Sequence, residues 1–389
     1  MTTAAPPIPR GVWILGFVSL LMDFSSEMIH ALLPLYLTVG LGASALTVGL
    51  IEGVAEATAM IVKVFSGVLS DRWRNRRRLV AIGYGMAALT KPFFALATGP
   101  GLVFAARFAD RIGKGIRGAP RDALIADLTP AAIRGAAFGL RQTLDTIGAI
   151  AGPLVAMGLM LAWNDDFRAV FWVAVIPGVL CFLLIVFGLH EPESKAKAAA
   201  PPKISRELVA RLGKPFWIVV SGASALTLAR FSEAFLILRA SDLGVDAAYA
   251  PLVLAGMSVV YAAVSYPTGK LADRMSKTTL LGWGVAALVA SDIALALATN
   301  VGMLSFGIAL WGLHMGLTQG LLSALVAQTA PDDLRGTAFG VFNLASGVAM
   351  LIASALAGAL WQFVGPAATF WAGAALAAAS LALTRLAPR

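Results

Sequence analysis

Charged residues are scarce in this sequence. Asp, Glu, Lys and Arg make up only 13% of its 389 residues, and 59% are hydrophobic. A soluble domain carries about a quarter of its residues as charges, so the composition excludes an ordinary soluble protein. The apolar runs recur at lengths of about 20 residues, the length of a helix that crosses roughly 30 Å of hydrocarbon, whereas barrel strands would alternate over about 10. The sequence therefore predicts an all-α membrane protein.

Cysteine and histidine are also rare. Cys181 is the only cysteine and there are three histidines, so neither an internal disulfide nor a Cys-rich metal site is expected. The run Gly113-Lys114-Gly115 lacks the Ser or Thr that follows the lysine of a phosphate-binding loop. No nucleophile–base arrangement and no H-E-x-x-H motif is present. We therefore expect neither an enzyme nor a bound cofactor.

Apolar windows define twelve predicted transmembrane helices. They cover residues 12–38, 46–69, 79–98, 102–126, 136–162, 168–189, 215–240, 248–271, 279–298, 302–328, 337–362 and 366–386. Loops on one side carry most of the Lys and Arg, including the run from Arg72 to Arg78, and this marks the cytoplasmic side. Both termini are then cytoplasmic in a multi-pass protein of the bacterial inner membrane. The net charge of +9 is interpreted as an orientation signal and a contact with lipid headgroups, and not as a nucleic-acid site.

The two halves of the chain repeat each other. The segment Gly67–Arg72 recurs as Gly269–Arg274, and the segment Pro130–Gly139 recurs as Pro331–Gly340, at offsets of 202 and 201 residues. With six helices on each side, this duplication predicts two parallel, pseudo-symmetric six-helix bundles. The predicted domains are an N-terminal bundle, a cytoplasmic linker rich in Pro, Ala and Lys, and a C-terminal bundle, at residues 1–189, 190–214 and 215–389.

The fourth predicted helix is charged at depths where water should be absent. An ionised side chain in a spanning helix costs roughly 2.5 to 3.5 kcal/mol unless it faces a watery cavity or a partner. The charges of this helix form a stripe, so we predict that the helix lines a solute pathway. Counting along the other helices places further ionisable residues at a similar depth. The candidates for substrate binding or proton coupling are Asp23, Glu27, His30, Glu56, Arg107, Asp110, Arg111, Lys114, Asp145, Arg230, Glu233 and His314.

Several of these residues have a structural alternative. Asp145 follows Arg141 by one helical turn, which equally suits an ion pair within one helix. A histidine in an apolar helix is more often a hydrogen-bonded wall residue, although His30 and His314 would also suit a borderline divalent metal ion. Glycine pairs in predicted helices two, five, eight and eleven are expected to allow close helix contact.

At these residues the chain resembles the major facilitator superfamily. The run GVLSDRWRNRRR, residues 67–78, is similar to the loop signature of that family between helices two and three. The resemblance implies the fold of that family, a monomer, and transport by alternating access. It also implies a gate in which the acids of this loop and of its copy contact the N-terminal ends of helices eleven and five. The gating residues are then Asp71, Arg72, Asp273, Arg274, Arg134 and Arg335.

Two further segments narrow the functional hypothesis. Gly148–Pro153 resembles a motif of exporters that exchange substrate for protons, and Asp110–Leu124 resembles a bacterial branch that includes metal-resistance exporters. The leading hypothesis is a proton-coupled exporter of a metal ion, a metal chelate or a small drug-like molecule, with protons and membrane lipid as its other partners. The first alternative is an importer or facilitator of an organic anion, based on Arg107, Arg111, Lys114, Arg117 and Arg121. The second is a non-transporting membrane sensor.

Overall fold

The computed structural model describes residues 7–72, 75–190, 206–272, 274–331 and 334–384. Twelve long helices run through these ranges, and a five-residue helix, Arg206–Ala210, lies within the predicted linker. Helix α1 is Arg10–His30, continued by Leu33–Leu35 and a π-helical turn at Tyr36–Gly40. The others are α2 Ala45–Arg72, α3 Arg76–Leu96, α4 Pro100–Leu128, α5 Arg134–Ala162, α6 Phe167–Gly188, α7 Lys214–Ala229 with Ala234–Asp242, α8 Pro251–Ala272, α9 Lys277–Leu297, α10 Val301–Thr329, α11 Arg335–Phe363 and α12 Pro366–Thr384.

The predicted all-α membrane fold is confirmed. Within the described residues, ten helices are long and apolar enough to cross a membrane. Helix α4 is not among these ten because of its charged stripe, and α12 contributes a shorter apolar stretch, Pro366–Leu381. The helix ends lie within three residues of the predicted ones, because apolar length fixes a spanning segment more sharply than local propensity does.

Helix α7 is interrupted, which corrects the prediction of one continuous helix over 215–240. The first part ends at Ala229 and the second begins at Ala234. In the gap, the backbone N–H of Ser232 donates to Ser354 Oγ of α11 at 3.2 Å, and Ser232 Oγ accepts from the N–H of Ala234 at 3.3 Å. A break at membrane depth is tolerated because these hydroxyls satisfy the freed backbone groups.

Contacts divide the chain into two compact units. The first contains Met1–His30 and Ile61–Pro201, and the second contains Ala31–Met60 and Pro202–Arg389. In the first unit α1 packs on α5 and α6, and α3 packs on α4 and α6. In the second unit α7 packs on α11 and α12, and α9 packs on α10 and α12. The same pairs recur six helices later, which agrees with the predicted duplication.

The two units have different cores. The first is aliphatic and lies between α1, α3, α4 and α6, with Leu15, Met22, Val80 and Leu124 among its fully enclosed side chains. The second is aromatic around Phe231. Its ring centroid lies 5.4 Å from that of Trp311, 5.5 Å from that of Phe370 and 5.6 Å from that of Phe235.

Close helix contact through glycine is confirmed for α2, α5 and α11. A Cβ added to Gly152 of α5 would lie 2.6 Å from the carbonyl oxygen of Phe24, and one added to Gly358 of α11 would lie 2.9 Å from that of Ala45 on α2. The prediction for helix eight is wrong. A Cβ at Gly256 or Gly269 would meet no heavy atom of the described residues within 4 Å, because the close approach to α8 is made by glycines of α10.

Candidate functional site

Most of the charged stripe of α4 is buried inside the first unit. Arg107 and Arg111 are each 2% exposed, and Asp110 is 3% exposed. Asp110 is bound from two sides: Lys91 Nζ of α3 lies 3.0 Å from Oδ1, and Arg111 Nε lies 3.4 Å from Oδ2. Lys91 Nζ also donates to Ser26 Oγ of α1 at 2.9 Å. The ion pair of Lys91 with Asp110 therefore joins α3 to α4, and the hydrogen bond of Lys91 to Ser26 joins α3 to α1.

The stripe continues toward the end of α4 through Tyr84. The Cζ atom of Arg117 lies 4.4 Å from the centre of the Tyr84 ring, a cation–π geometry. Arg121 Nη1 donates to the Tyr84 hydroxyl at 3.4 Å and to Ser19 Oγ at 3.3 Å. These two arginines are thus held by α1 and α3, and Arg121 also pairs with Asp122 at 3.1 Å.

The acidic face of α1 meets the same charges. Glu27 Oε2 lies 3.4 Å from His30 Nδ1, and Glu27 interacts electrostatically with Arg111 and Lys114. Asp23 interacts electrostatically with Glu27, Lys114, Arg117 and Asp145. We call Asp23, Glu27, His30, Lys91, Asp110, Arg111 and Lys114 the first charge cluster.

Asp145 and Lys114 are less buried than the ion pair at the centre of the first charge cluster. Asp145 Oδ2 lies 3.5 Å from Arg141 Nη1, so the alternative of an ion pair within α5 is confirmed. Lys114 is exposed on α4 while its neighbours in the stripe are buried. Its side chain is therefore the most accessible cation among the predicted α4 residues.

The remaining predicted residues lie in the second unit. Arg230, at the break in α7, interacts electrostatically with Glu233, Glu56 and Tyr261. His314 is fully buried, and its Nδ1 lies 2.8 Å from the carbonyl oxygen of Gly284. This contact fits the hydrogen-bonded wall histidine that was the structural alternative. We call Glu56, Arg230, Glu233 and His314 the second charge cluster.

Two of the predicted site histidines, His30 and His314, therefore fall in different contact units. Across the described part of the chain, no group of three or more His, Cys, Asp or Glu residues is arranged to hold a metal ion.

The predicted gate is only partly described. Asp273 lies outside the described residues, as do the side chains of Asp71 and Arg72. Arg134 Nε donates to the carbonyl oxygen of Thr129 at 3.4 Å, and Arg274 and Arg335 are exposed. The gate therefore stays a prediction.

Lys91 and Asp292 are among the buried charges that the sequence reasoning missed. Lys91 is 2% exposed and Asp292 is fully buried. Each is the only charged residue beyond the first turn of its helix, α3 or α9. A lone charge in an apolar span is itself a functional signal, and it would have found both residues.

The ten apolar helices of spanning length among the described residues and the buried ion pair between α3 and α4 are typical of polytopic membrane proteins that build solute pathways. The family model described as Major Facilitator Superfamily matches residues 15–239 and 223–389. The chain belongs to this superfamily and is an MFS transporter.

Individual relatives agree with this assignment. An MFS-type transporter of Methanocaldococcus jannaschii is 32% identical over 381 residues, covering 95% of this chain and 93% of the relative. A quinolone resistance protein of Staphylococcus aureus is 22% identical over 280 residues, 71% of each chain. The crystal structure of a nucleoside transporter superposes with a TM-score of 0.81 at 13% identity, covering 97% of this chain and all of the other, which supports the fold.

Proposed function

We propose that the protein is a proton-coupled exporter that works by alternating access and exchanges protons for a metal ion, a metal chelate or a small drug-like molecule. The observation that carries the proposal is the first charge cluster, in which Glu27 of α1 and Asp110 of α4 both interact with Arg111, and Asp110 also pairs with Lys91. An acid that is held between a proton, a basic side chain and a cationic solute changes partner when the conformation changes. Such competition couples the proton to the solute.

The relatives favour the drug-like solute. One of them is a quinolone resistance protein that aligns with 71% of this chain. Membership of a transporter family favours transport over the sensor hypothesis. We further propose a cytoplasmic-membrane location with both termini inside the cell, based on the Lys and Arg of one set of loops, and a monomer, as the resemblance to the superfamily implies.

Proteoliposomes with an acidic interior test the proposal. A fluoroquinolone and ethidium are the probes, and uptake is measured with and without the pH gradient. We expect the gradient to drive accumulation of at least one probe in wild-type vesicles, and Glu27→Gln to abolish that accumulation. A matched control is Asp166→Asn, at an exposed carboxyl that caps the start of α6. Uptake that ignores the gradient would contradict proton antiport.

The organic-anion alternative has its own observation. Arg107, Arg111 and Arg117 are all buried on α4, so this helix offers more cationic than anionic side chains to a solute. The same vesicles, given a radiolabelled dicarboxylate, separate the two functions. Gradient-independent anion uptake without drug uptake would favour the importer.

A further inference from the structure

Asp292 is a fully buried carboxyl group without a hydrogen-bond partner. It lies on α9 in the second unit, and neither of its oxygens is bonded by any of the described residues. A Cβ built on Gly373 of α12 would lie 2.7 Å from Asp292 Oδ2 and 3.0 Å from Cε1 of Phe231. The backbone of α12 at Gly373 therefore lies against the carboxyl group, and the ring of Phe231 lies beside the same glycine.

The duplication explains why this acid is alone. Asp292 and Lys91 are both the sixteenth residue of their helices, Lys277–Leu297 and Arg76–Leu96. Lys91 is paired with Asp110, the eleventh residue of α4. The eleventh residue of α10 is Trp311, whose Nε1 also lacks a hydrogen-bond partner among the described residues. Where the first unit has an ion pair, the second has an acid and an indole.

Other charged groups around α9 are engaged elsewhere. Arg239 of α7 donates through Nε to the carbonyl oxygen of Leu295 and through Nη2 to that of Ala298, and it pairs with Asp242. His314 of α10 bonds Gly284, two turns earlier on α9. Helix α12 has no ionisable side chain along Pro366–Thr384. The remaining titratable groups on the neighbouring α7 and α8 are Lys214, Arg230, Glu233, Tyr261, Tyr266 and Lys270.

A carboxyl group that is buried without a partner, as that of Asp292 is, must be uncharged. An unpaired carboxylate in an apolar site loses its hydration without compensation, so the protonated form is the stable one. We propose that Asp292 is a proton-binding site of the second unit, protonated in this conformation and discharged when Phe231 moves.

Phe231 is placed to control this site. It lies in the break of α7, directly after Arg230 of the second charge cluster, and its ring packs on Trp311 and Phe370. When the break changes conformation, the ring leaves the carboxyl group and water enters. The Oδ–H bond then breaks, the proton passes to water as hydronium, and Asp292 remains as the carboxylate. This role in coupling rests on the proposed proton-coupled transport.

Infrared spectroscopy tests the protonation without any transport. The C=O stretch of a protonated carboxyl group is recorded for purified wild-type protein in lipid nanodiscs at neutral pH. We expect Asp292→Asn and Asp292→Leu to lose one such band, and Asp246→Asn, at an exposed carboxyl before α8, to keep it. The Leu variant provides the comparison if the Asn variant unfolds. A spectrum with no band lost in either folded variant would overturn the proposal.

Transport then tests the coupling. With the fluoroquinolone as probe, Asp292→Asn should retain drug exchange down a concentration gradient and lose accumulation driven by the pH gradient. Wild-type accumulation in this variant would overturn the coupling role. If wild-type protein itself accumulates no probe, the proposed function fails, while the infrared band still decides whether Asp292 holds a proton.

Discussion

At the scale of single residues, the pair of Lys91 and Asp110 is the most consequential contact of the first unit. Both side chains are almost fully enclosed and their charged atoms lie 3.0 Å apart. Removing one member of a buried pair leaves the other charge uncompensated, which typically costs about 3 to 5 kcal/mol. We therefore expect Asp110→Asn to lower the free energy of unfolding by about that amount, measured by denaturant unfolding in detergent.

Two companion variants make this prediction sharp. Arg141→Gln removes a more exposed pair of one helix, with Asp145, and is expected to cost no more than about 1 kcal/mol. Combining Asp110→Asn with Lys91→Met removes both charges of this pair and should recover part of the lost stability, because Arg111 still loses its contact with Asp110. Equal losses for Asp110→Asn and Arg141→Gln would mean that the Lys91 pair is not buried as described.

The sequence predicted some of these residues and missed others for a physical reason. The depth of a residue in the membrane follows from its position along an apolar run, and this position identified Asp23, Glu27 and Asp110 as candidates. Partners across helices depend on rotation and packing, which counting does not supply. The contact of Lys91 with α4 and the isolation of Asp292 became visible only when neighbouring helices were in place.

At the scale of helices, the contact of α1 with α5 depends on glycine. A Cβ at Gly152 would lie 2.6 Å from a backbone oxygen of α1, while one at Gly158 would meet no heavy atom of the described residues within 4 Å. We expect Gly152→Ala to destabilise the protein by about 1 to 3 kcal/mol, because α1 and α5 must move apart. Gly158→Ala should raise stability by up to about 1 kcal/mol through helix propensity. Thermal unfolding of both variants in one detergent makes the comparison, and an equal effect would contradict the close contact.

The break in α7 gives a second prediction at this scale. Ser354→Ala removes the hydroxyl that accepts from the N–H of Ser232 and leaves a buried donor unpaired, at a cost of about 1 to 3 kcal/mol. Ser346, also buried on α11, has no hydrogen-bond partner among the described residues, so Ser346→Ala should change the unfolding free energy by no more than about 0.5 kcal/mol. Denaturant titrations should give clearly different free energies of unfolding for the two variants. A harmless Ser354→Ala would show that the break is held in another way.

The helices differ in how well sequence specifies them. Their lengths were predictable because about 20 apolar residues are needed to cross the hydrocarbon. The interruption at Arg230 to Glu233 was not, because an apolar window averages over residues that leave the helix. The glycines of α8 were assigned to a helix contact that glycines of α10 make instead. Which face of a helix approaches a neighbour is a tertiary property.

At the scale of the whole molecule, the contact units do not follow the duplicated halves of the sequence. Residues 31–60, which end α1 and begin α2, pack with the C-terminal part of the chain. A Cβ at Gly347 of α11 would lie 3.4 Å from the Cβ of Met60 on α2. The predicted domain boundary between residues 189 and 215 describes the order of the helices along the chain. The sequence alone does not reveal that residues 31–60 pack with the C-terminal part.

Alternating access requires the contact of α2 with α11 to open during transport, since these helices belong to different predicted bundles. The Cβ separation at Met60 and Gly347 is close to the roughly 3.5 to 4.5 Å of a disulfide, so M60C/G347C should cross-link on mild oxidation. Cys181 is buried and can remain in place. We expect oxidation to stop fluoroquinolone accumulation in vesicles, reduction to restore it, and each single variant to be indifferent to the oxidant. A cross-linked protein that transports at the wild-type rate would show that this contact stays closed through the cycle, and the alternating-access mechanism proposed for this chain would be wrong.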